Sequence, residues 1–238
     1  MKAVIDIVLL IIIALCTWNG YKRGLIGGVA GILAIIVALL GGSLLASAYS
    51  QEIVPALEPF VDGYVNSQDN RKQILENIGY ADSDKSLTDI IEEDSSLKYD
   101  YAYEAITSVG IYSGTAEKLA EKAVDRAQQL EVPMTDAVVS VICETATYVG
   151  AMSLAFLMIL IFLVAVANIG NLSLRLPSME NLDELGGCMI GFVKGFIYCV
   201  LLCWLLGFLG IIIGKATMEH TTLGRFFLAF SWITDALM

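Results

Sequence analysis

The sequence has very little histidine and few basic residues. In 238 residues it contains one histidine, His220, and 14 lysine and arginine residues against 25 acidic ones. Nucleic acid is therefore not a predicted partner, because an acidic chain repels phosphates instead of releasing their counterions. The sequence also lacks the G-x-S-x-G, H-E-x-x-H and P-loop patterns of common hydrolase and nucleotide sites. We predict no enzymatic activity, no catalytic residue and no cofactor.

Cysteine is present, but its spacing does not predict a metal site or a disulfide. No C-x-x-C pattern occurs, and Cys199 and Cys203, four residues apart on one helix face, are too few ligands for zinc. Most of the cysteines lie in or beside apolar runs, where cysteine behaves as a small hydrophobic residue. The acidic segment 49–148 contains only Cys143, so no internal disulfide can form there. The five are Cys16, Cys143, Cys188, Cys199 and Cys203.

Charge is scarce everywhere except in one central segment. Charged residues make up 16% of the chain and hydrophobic residues 57%, whereas a typical soluble chain has about 25% charged residues. Residues 49–148 hold 19 of the 25 acidic residues and 7 of the 14 basic ones, so this segment carries a formal charge of −12. The remaining residues carry +1. The composition predicts an apolar membrane frame with one acidic, water-soluble insert.

Four apolar runs predict transmembrane helices, at residues 3–18, 25–48, 149–168 and 186–214. A spanning helix needs about 20 apolar residues, and the last three runs meet that length. We therefore predict an all-α integral membrane protein with four spans in two hairpins and a helical insert outside the bilayer. The predicted parts are a transmembrane hairpin at 1–48, the insert at 49–148, a second hairpin at 149–214 and an amphipathic interfacial helix at 215–238.

The distribution of basic residues predicts the orientation in the membrane. Lys22 and Arg23 lie between the first two runs, and Arg175 and Lys194 lie between or near the last two. The first and last 22 residues of the insert contain no lysine or arginine. Because short cytoplasmic loops are enriched in basic residues, we expect both short loops inside the cell, and the insert and both termini outside. Three residues favour the opposite orientation: Lys2, Lys215 and Arg225.

Glycines recur every four residues at the start of two predicted spans. They are Gly24 and Gly28, Gly27 and Gly31, and Gly187, Gly191 and Gly195. Small residues at this spacing allow helix backbones to approach closely in a bilayer. We predict tight helix packing, within the chain or in a homo-oligomer; the alternative is a lumen lined by these glycines.

Asp6 and Lys194 are ionisable residues within the predicted spans, and such residues are candidate functional sites. Structural roles are the alternative: Asp6 as an acceptor at a helix N-terminus, and Lys194 as a side chain that reaches to the cytoplasm. We expect Asp6 near the outer end of its span and Lys194 about 10 Å from the cytoplasmic edge. A direct pair between them is not expected.

The insert is predicted to be helical. Ser86 to Asp89 fits a capping box, and Leu119, Ala123, Ala127 and Leu130 recur at helical spacing within residues 115–130. From Thr135 onward one helix is expected to continue into the third span. The acidic residues form a solvated face or, alternatively, a docking surface for a basic envelope protein or cations; they do not follow the calcium-loop pattern. After Gly214, one helical stripe predicts the interfacial helix or, equally, a helix that packs back on the spans: Leu223, Phe226, Phe227, Phe230, Ile233 and Leu237.

Three stretches together resemble the colicin V production protein (CvpA) family. They are Asp6 followed by Gly20–Ile26, the glycine-rich Leu185–Gly195 with its Lys194, and Thr222–Phe227. The chain departs from the family in its long acidic insert, and in Glu184, which stands where the family often has a basic residue. The resemblance implies a multi-pass protein of the bacterial cytoplasmic membrane. It also implies a role in bacteriocin production or secretion and in envelope homeostasis.

The function that follows is a non-enzymatic membrane factor, with the lipid bilayer as its surroundings. The alternative is a small oligomeric transporter or channel subunit, because four spans alone enclose little space.

Overall fold

The structure, a computed structural model, describes residues 2–80, 91, 97–169, 180–208 and 221–228. The regular elements in these ranges are all α-helices, so the predicted all-α class is confirmed for the described part of the chain. The helices are α1 (Lys2–Val65), α2 (Gln68–Asn77), α3 (Leu97–Ser108), α4 (Ser113–Leu130), α5 (Met134–Ile169), α6 (Glu180–Phe208) and α7 (Thr222–Leu228).

Three of these helices are long and apolar enough to cross a membrane, as judged by length and composition. The qualifying stretches are Val4–Val65, Met134–Ala167 and Leu182–Phe208. The predicted runs 3–18 and 25–48 both lie within α1, and the run 149–168 lies within α5. The sequence predicts a tight turn at residues 19–24 between the first two runs, but residues 19–23 are helical in the structure. Within α1 the non-helical residue is Gly24, with φ 72° and ψ −178°.

The chain divides into two compact units. One consists of Met1–Ser47, Ala151–Leu206 and Ala216–Met238, and the other of Ala48–Gly150 and Gly207–Lys215. The first unit is called the membrane unit below and the second the insert unit. The domain limits predicted from the sequence stay predictions.

The membrane unit has a small core and a large apolar exterior. Its most buried side chains come from α1, α6 and α7 and include Leu9, Cys199, Cys203 and Phe227. On α5, many large apolar side chains are exposed, with Met158 71% and Phe162 66% accessible. Helices in lipid expose such side chains without cost, because the acyl chains around them are equally apolar.

The insert unit has a continuous hydrophobic core. Its helices α2 to α4 and the adjoining parts of α1 and α5 contribute buried side chains such as Ile74, Ile106 and Ile142. Tyr101 is fully buried at its centre, its hydroxyl has no hydrogen-bond partner in the described part, and burial raises the pKa of Tyr101 to about 12. A core of this kind explains how an acidic segment without a disulfide folds.

The predicted helix over residues 115–130 is confirmed as α4, which begins two residues earlier, at Ser113. Leu119, Ala123 and Ala127 are buried as expected. Leu130, which recurs at the same spacing, is 64% exposed. It is the last residue of α4, and Glu131 after it adopts left-handed angles that end the helix.

Several polar contacts join helices within the insert unit. Arg126 on α4 donates from Nη1 and Nη2 to the two carboxylate oxygens of Glu144 on α5, at 2.6 and 2.7 Å. Asn70 on α2 donates from Nδ2 to Ser108 Oγ on α3, at 2.9 Å. α5 continues from Met134 to Ile169, as the expected helix running into the third span. The predicted capping box at Ser86 to Asp89 lies outside the described residues.

Candidate functional site

Gly24 and Asp183 form a junction inside the membrane unit. Gly24 has φ 72° and ψ −178°, a region that essentially only glycine adopts. The backbone N–H of the next residue, Leu25, donates to Asp183 Oδ1 at 2.8 Å. Asp183 is 4% exposed. Its carboxylate therefore caps the helical segment that begins at Leu25, where free N–H groups and the helix dipole favour an anion.

The carboxylate explains why the turn is so short. A helix that starts anew leaves its first N–H groups without partners, and a longer loop often supplies the capping side chain. Here the cap comes from α6, so helical structure resumes directly after one glycine. A Cβ atom at Gly24 would overlap the Asp183 side chain, so the position requires glycine both for its backbone angles and for space.

The three glycines of α6 lie against the backbone of the N-terminal part of α1. A Cβ atom added at Gly191 would lie 2.5 Å from the Cys16 carbonyl oxygen, and one at Gly195 would lie 3.0 Å from Ile13 Cα. A Cβ atom at Gly187 would lie 2.8 Å from the Gly24 carbonyl carbon. These glycines, which we call the glycine seam, are thus in close helix–helix contact within one chain. Their contribution to assembly stays a prediction.

Of the other predicted packing positions, Gly28 and Gly31 also face α6, whereas a Cβ atom at Gly27 would lie 3.0 Å from Arg23 Cβ in its own helix. A Cβ atom at Gly28 would lie 2.9 Å from Ile190 Cγ2, and one at Gly31 would lie 2.9 Å from the Lys194 Nζ. Helix α6 therefore contacts α1 on both sides of Gly24.

Asp6 lies at the start of α7. Its Oδ1 accepts a hydrogen bond of 3.2 Å from the backbone N–H of Leu223. Asp6 thus accepts at a helix N-terminus, that of α7 and not that of its own helix. Phe227 of α7 is 3% exposed, and its ring packs edge-on against Phe196 with centroids 5.1 Å apart. Of the predicted interfacial stripe, Leu223 and Phe227 pack within the membrane unit, whereas Phe226 is 52% exposed. Phe230, Ile233 and Leu237 lie outside the described residues.

Lys194 lies in a polar cavity of about 230 Å³ near the junction. Its ammonium is 5.6 Å from the ring centroid of Tyr198, a cation–π distance. Arg23 and Asn19 also line the cavity, and none of the described residues that line it is acidic. We call it the cationic cavity. Lys194 and Asp6 take part in different contacts, in keeping with the expectation that they do not pair.

Lys22, the other predicted residue of the turn, lies outside this cavity. Its ammonium is 5.2 Å from the Trp18 ring centroid. The neighbouring Tyr21 hydroxyl donates to Glu184 Oε2 at 2.9 Å. Among the described residues, no group of three or more His, Cys, Asp or Glu side chains is placed to hold a metal ion.

Asp183 is not among the site residues predicted from the sequence. The available signal was the acidic pair Asp183-Glu184 before a Leu-Gly-Gly start of an apolar run. That signal does not reveal the residue which Asp183 caps, because Leu25 is 158 positions away.

The helices and their apolar surfaces define a class, the α-helical membrane proteins. Within it, residues 5–81 match the family model described as colicin V production protein. This confirms the predicted resemblance over that stretch, which includes the Gly20–Ile26 motif and Gly24 of the junction. No curated protein and no solved structure matches the chain.

Proposed function

We propose that this chain is a non-enzymatic, four-span factor of the bacterial cytoplasmic membrane. It supports the production or secretion of a colicin V-type bacteriocin and the homeostasis of the cell envelope. The observation that carries the proposal is the family match over residues 5–81. The matched stretch contains Gly24 of the junction and the basic turn residues Lys22 and Arg23.

The order of contacts along α6 supports a first hairpin. Before Gly24 the contacts run in opposite directions along the two helices: Gly195, Gly191 and Gly187 meet Ile13, Cys16 and Gly20 in turn. After Gly24 they run in the same direction: Gly186, Ile190 and Lys194 meet Leu25, Gly28 and Gly31. The two parts of α1 therefore point in opposite directions along α6, as two consecutive spans of a hairpin do. With α5 and α6, the proposed hairpin makes four spans.

The basic turn supports the orientation. In this proposal Lys22 and Arg23 mark the cytoplasmic end of the first hairpin, and the acidic insert and both termini lie outside the cell. The insert, with its formal charge of −12, then faces the envelope. We propose a basic envelope protein as its partner, because opposite charge favours encounter and register at such a surface. We assign the glycine seam to packing within one chain, since its Cβ positions are already filled by backbone atoms.

The function is tested by complementation. A strain that carries a colicin V operon but lacks its own family member would receive this chain or an empty vector. We expect the chain to restore secreted bacteriocin and resistance to envelope stress. A Gly24→Leu variant, whose side chain fits neither the backbone angles nor the space at the junction, serves as a negative control.

Membrane abundance is measured in parallel by immunoblot of the membrane fraction. If the wild-type chain accumulates in the membrane and restores neither property, the proposed function is wrong. Restoration of bacteriocin secretion without restored stress resistance would remove the envelope role and retain the production role.

A further inference from the structure

A second, apolar cavity adjoins the cationic cavity inside the membrane unit. It has a volume of about 340 Å³ and is lined by side chains of α1, α5 and α6, among them Leu39, Phe156 and Trp204. Tyr198 lines both cavities. The cavity on one side of Tyr198 is therefore lined by cations, and the cavity on the other side is apolar.

From this arrangement we propose that the membrane unit binds one anionic phospholipid. Its phosphate contacts Lys194 and Arg23 in the cationic cavity. One acyl chain passes Tyr198 and occupies the apolar cavity. The proposal goes beyond the production role, since neither the family match nor that role assigns a ligand.

Charge complementarity is the first argument. Two cationic side chains line the same cavity, and none of its described lining residues is acidic. A cation within a membrane span is costly unless it meets a counter-charge, water or the interface. A phosphate beside Lys194 supplies a counter-charge to that ammonium, and lysine and arginine are side chains that bind phosphate.

Shape is the second argument. Four glycines line the cationic cavity and leave it open to an anion: Gly20, Gly27, Gly28 and Gly191. Along α6, Lys194 is followed one turn later by Tyr198 and then by Leu205, so the lining spans roughly 16 Å of helix. The lining thus changes along α6 from the cationic Lys194 to the apolar Leu205. A phospholipid has its phosphate and its acyl chain in the same order. A free phosphate would not need the apolar cavity.

The apolar cavity contains its own spectroscopic probe. Trp204 lines it and is 8% exposed. With Trp18→Phe and Trp232→Phe in the full chain, Trp204 is the remaining tryptophan. Bromine atoms on an acyl chain quench tryptophan emission at short range, so brominated phosphatidylglycerol reports occupancy of the cavity directly.

The test is a quenching titration of the purified full chain in dodecyl maltoside. We expect saturable quenching by brominated phosphatidylglycerol, and Lys194→Gln should weaken it about fivefold or more. Lys194→Arg, which keeps the charge, should retain it. The matched control is Lys22→Gln, because Lys22 is a cation of the same turn that does not line the cavity. Size-exclusion profiles establish that each variant is folded.

Two further arms separate the sources of phosphate. Brominated phosphatidylcholine has the same chains without net charge, and inorganic phosphate has the charge without chains. Equal quenching by phosphatidylcholine and phosphatidylglycerol would overturn the proposal, as would unchanged affinity in folded Lys194→Gln. Displacement of phosphatidylglycerol by millimolar inorganic phosphate would identify a free anion as the ligand and would also overturn it.

Discussion

Replacing Gly24 with alanine tests the junction between the two parts of α1. Alanine would have to adopt φ 72° and ψ −178°, and its Cβ would overlap the Asp183 carboxylate. A residue held in such a region costs about 1–3 kcal/mol. If the carboxylate moves away, the cap on Leu25 is lost as well, and losing a capping side chain costs about 0.5–2 kcal/mol. We expect the free energy of unfolding of the membrane unit to fall by about 1.5–5 kcal/mol.

Tryptophan fluorescence isolates the transition of that unit. Trp18, Trp204 and Trp232 all belong to the membrane unit. Unfolding would be followed by tryptophan emission during titration with sodium dodecyl sulfate in mixed micelles. The matched control is Gly63→Ala, a change in the same helix at which no atom lies within 4 Å of the added Cβ.

We expect Gly63→Ala to leave the tryptophan transition within about 0.5 kcal/mol of wild type. An Asp183→Ala variant should show the capping part alone, because it leaves the Gly24 backbone unchanged. If Gly24→Ala is as stable as Gly63→Ala, then neither the backbone angles nor the contact with Asp183 contributes to stability, and the assignment of the junction is refuted.

Three other substitutions test the remaining contacts. Gly191→Leu places its side chain against the backbone of the first part of α1 and should lower the free energy of unfolding by about 1–3 kcal/mol. We expect the monodisperse size-exclusion peak to be lost at a lower temperature than in wild type. An unchanged profile would mean that the seam is not packed. Arg126→Lys removes the bidentate hydrogen bonds to Glu144; both side chains are partly exposed, and the free energy of unfolding should fall by about 0.5–1.5 kcal/mol. We expect faster amide exchange in α4. Exchange as slow as in wild type would show that the pair does not add to stability. Asp6→Asn keeps a side-chain oxygen that accepts from the Leu223 N–H at the start of α7, so this variant should restore bacteriocin secretion fully, whereas Asp6→Leu should not. If Asp6→Asn fails to restore secretion at normal membrane abundance, the role of Asp6 depends on its charge.

Much of the fold follows from local patterns in the sequence. The apolar runs predict the long helices because side-chain hydrophobicity and length decide what can cross a bilayer. The repeating apolar positions of α4 and the unbroken pattern from Thr135 also depend on residues close together in the chain. These features therefore agree with the structure, apart from Leu130 at the helix end.

The junction could not be predicted in the same way. The expected loop at Asn19 to Gly24 rests on the frequency of glycine and charge in turns. In the structure the helix is interrupted at one residue, Gly24, because a carboxylate 158 positions away caps the next helix. Contacts between distant residues depend on how the helices pack, and a single sequence does not encode them in any local spacing. For the same reason the shared position of Tyr198 between two cavities became visible only in three dimensions.

The central claim is that the chain crosses the membrane twice before the insert begins. Single cysteines at Lys2, Asn19 and Gln68, in a cysteine-free background, test it when intact cells are treated with an impermeant maleimide. Asn19 and Gln68 are exposed, so their substitution leaves the packing intact. We predict labelling at positions 2 and 68 in intact cells, and at position 19 only after lysis. Labelling at position 19 in intact cells, or at only one of positions 2 and 68, would contradict the account.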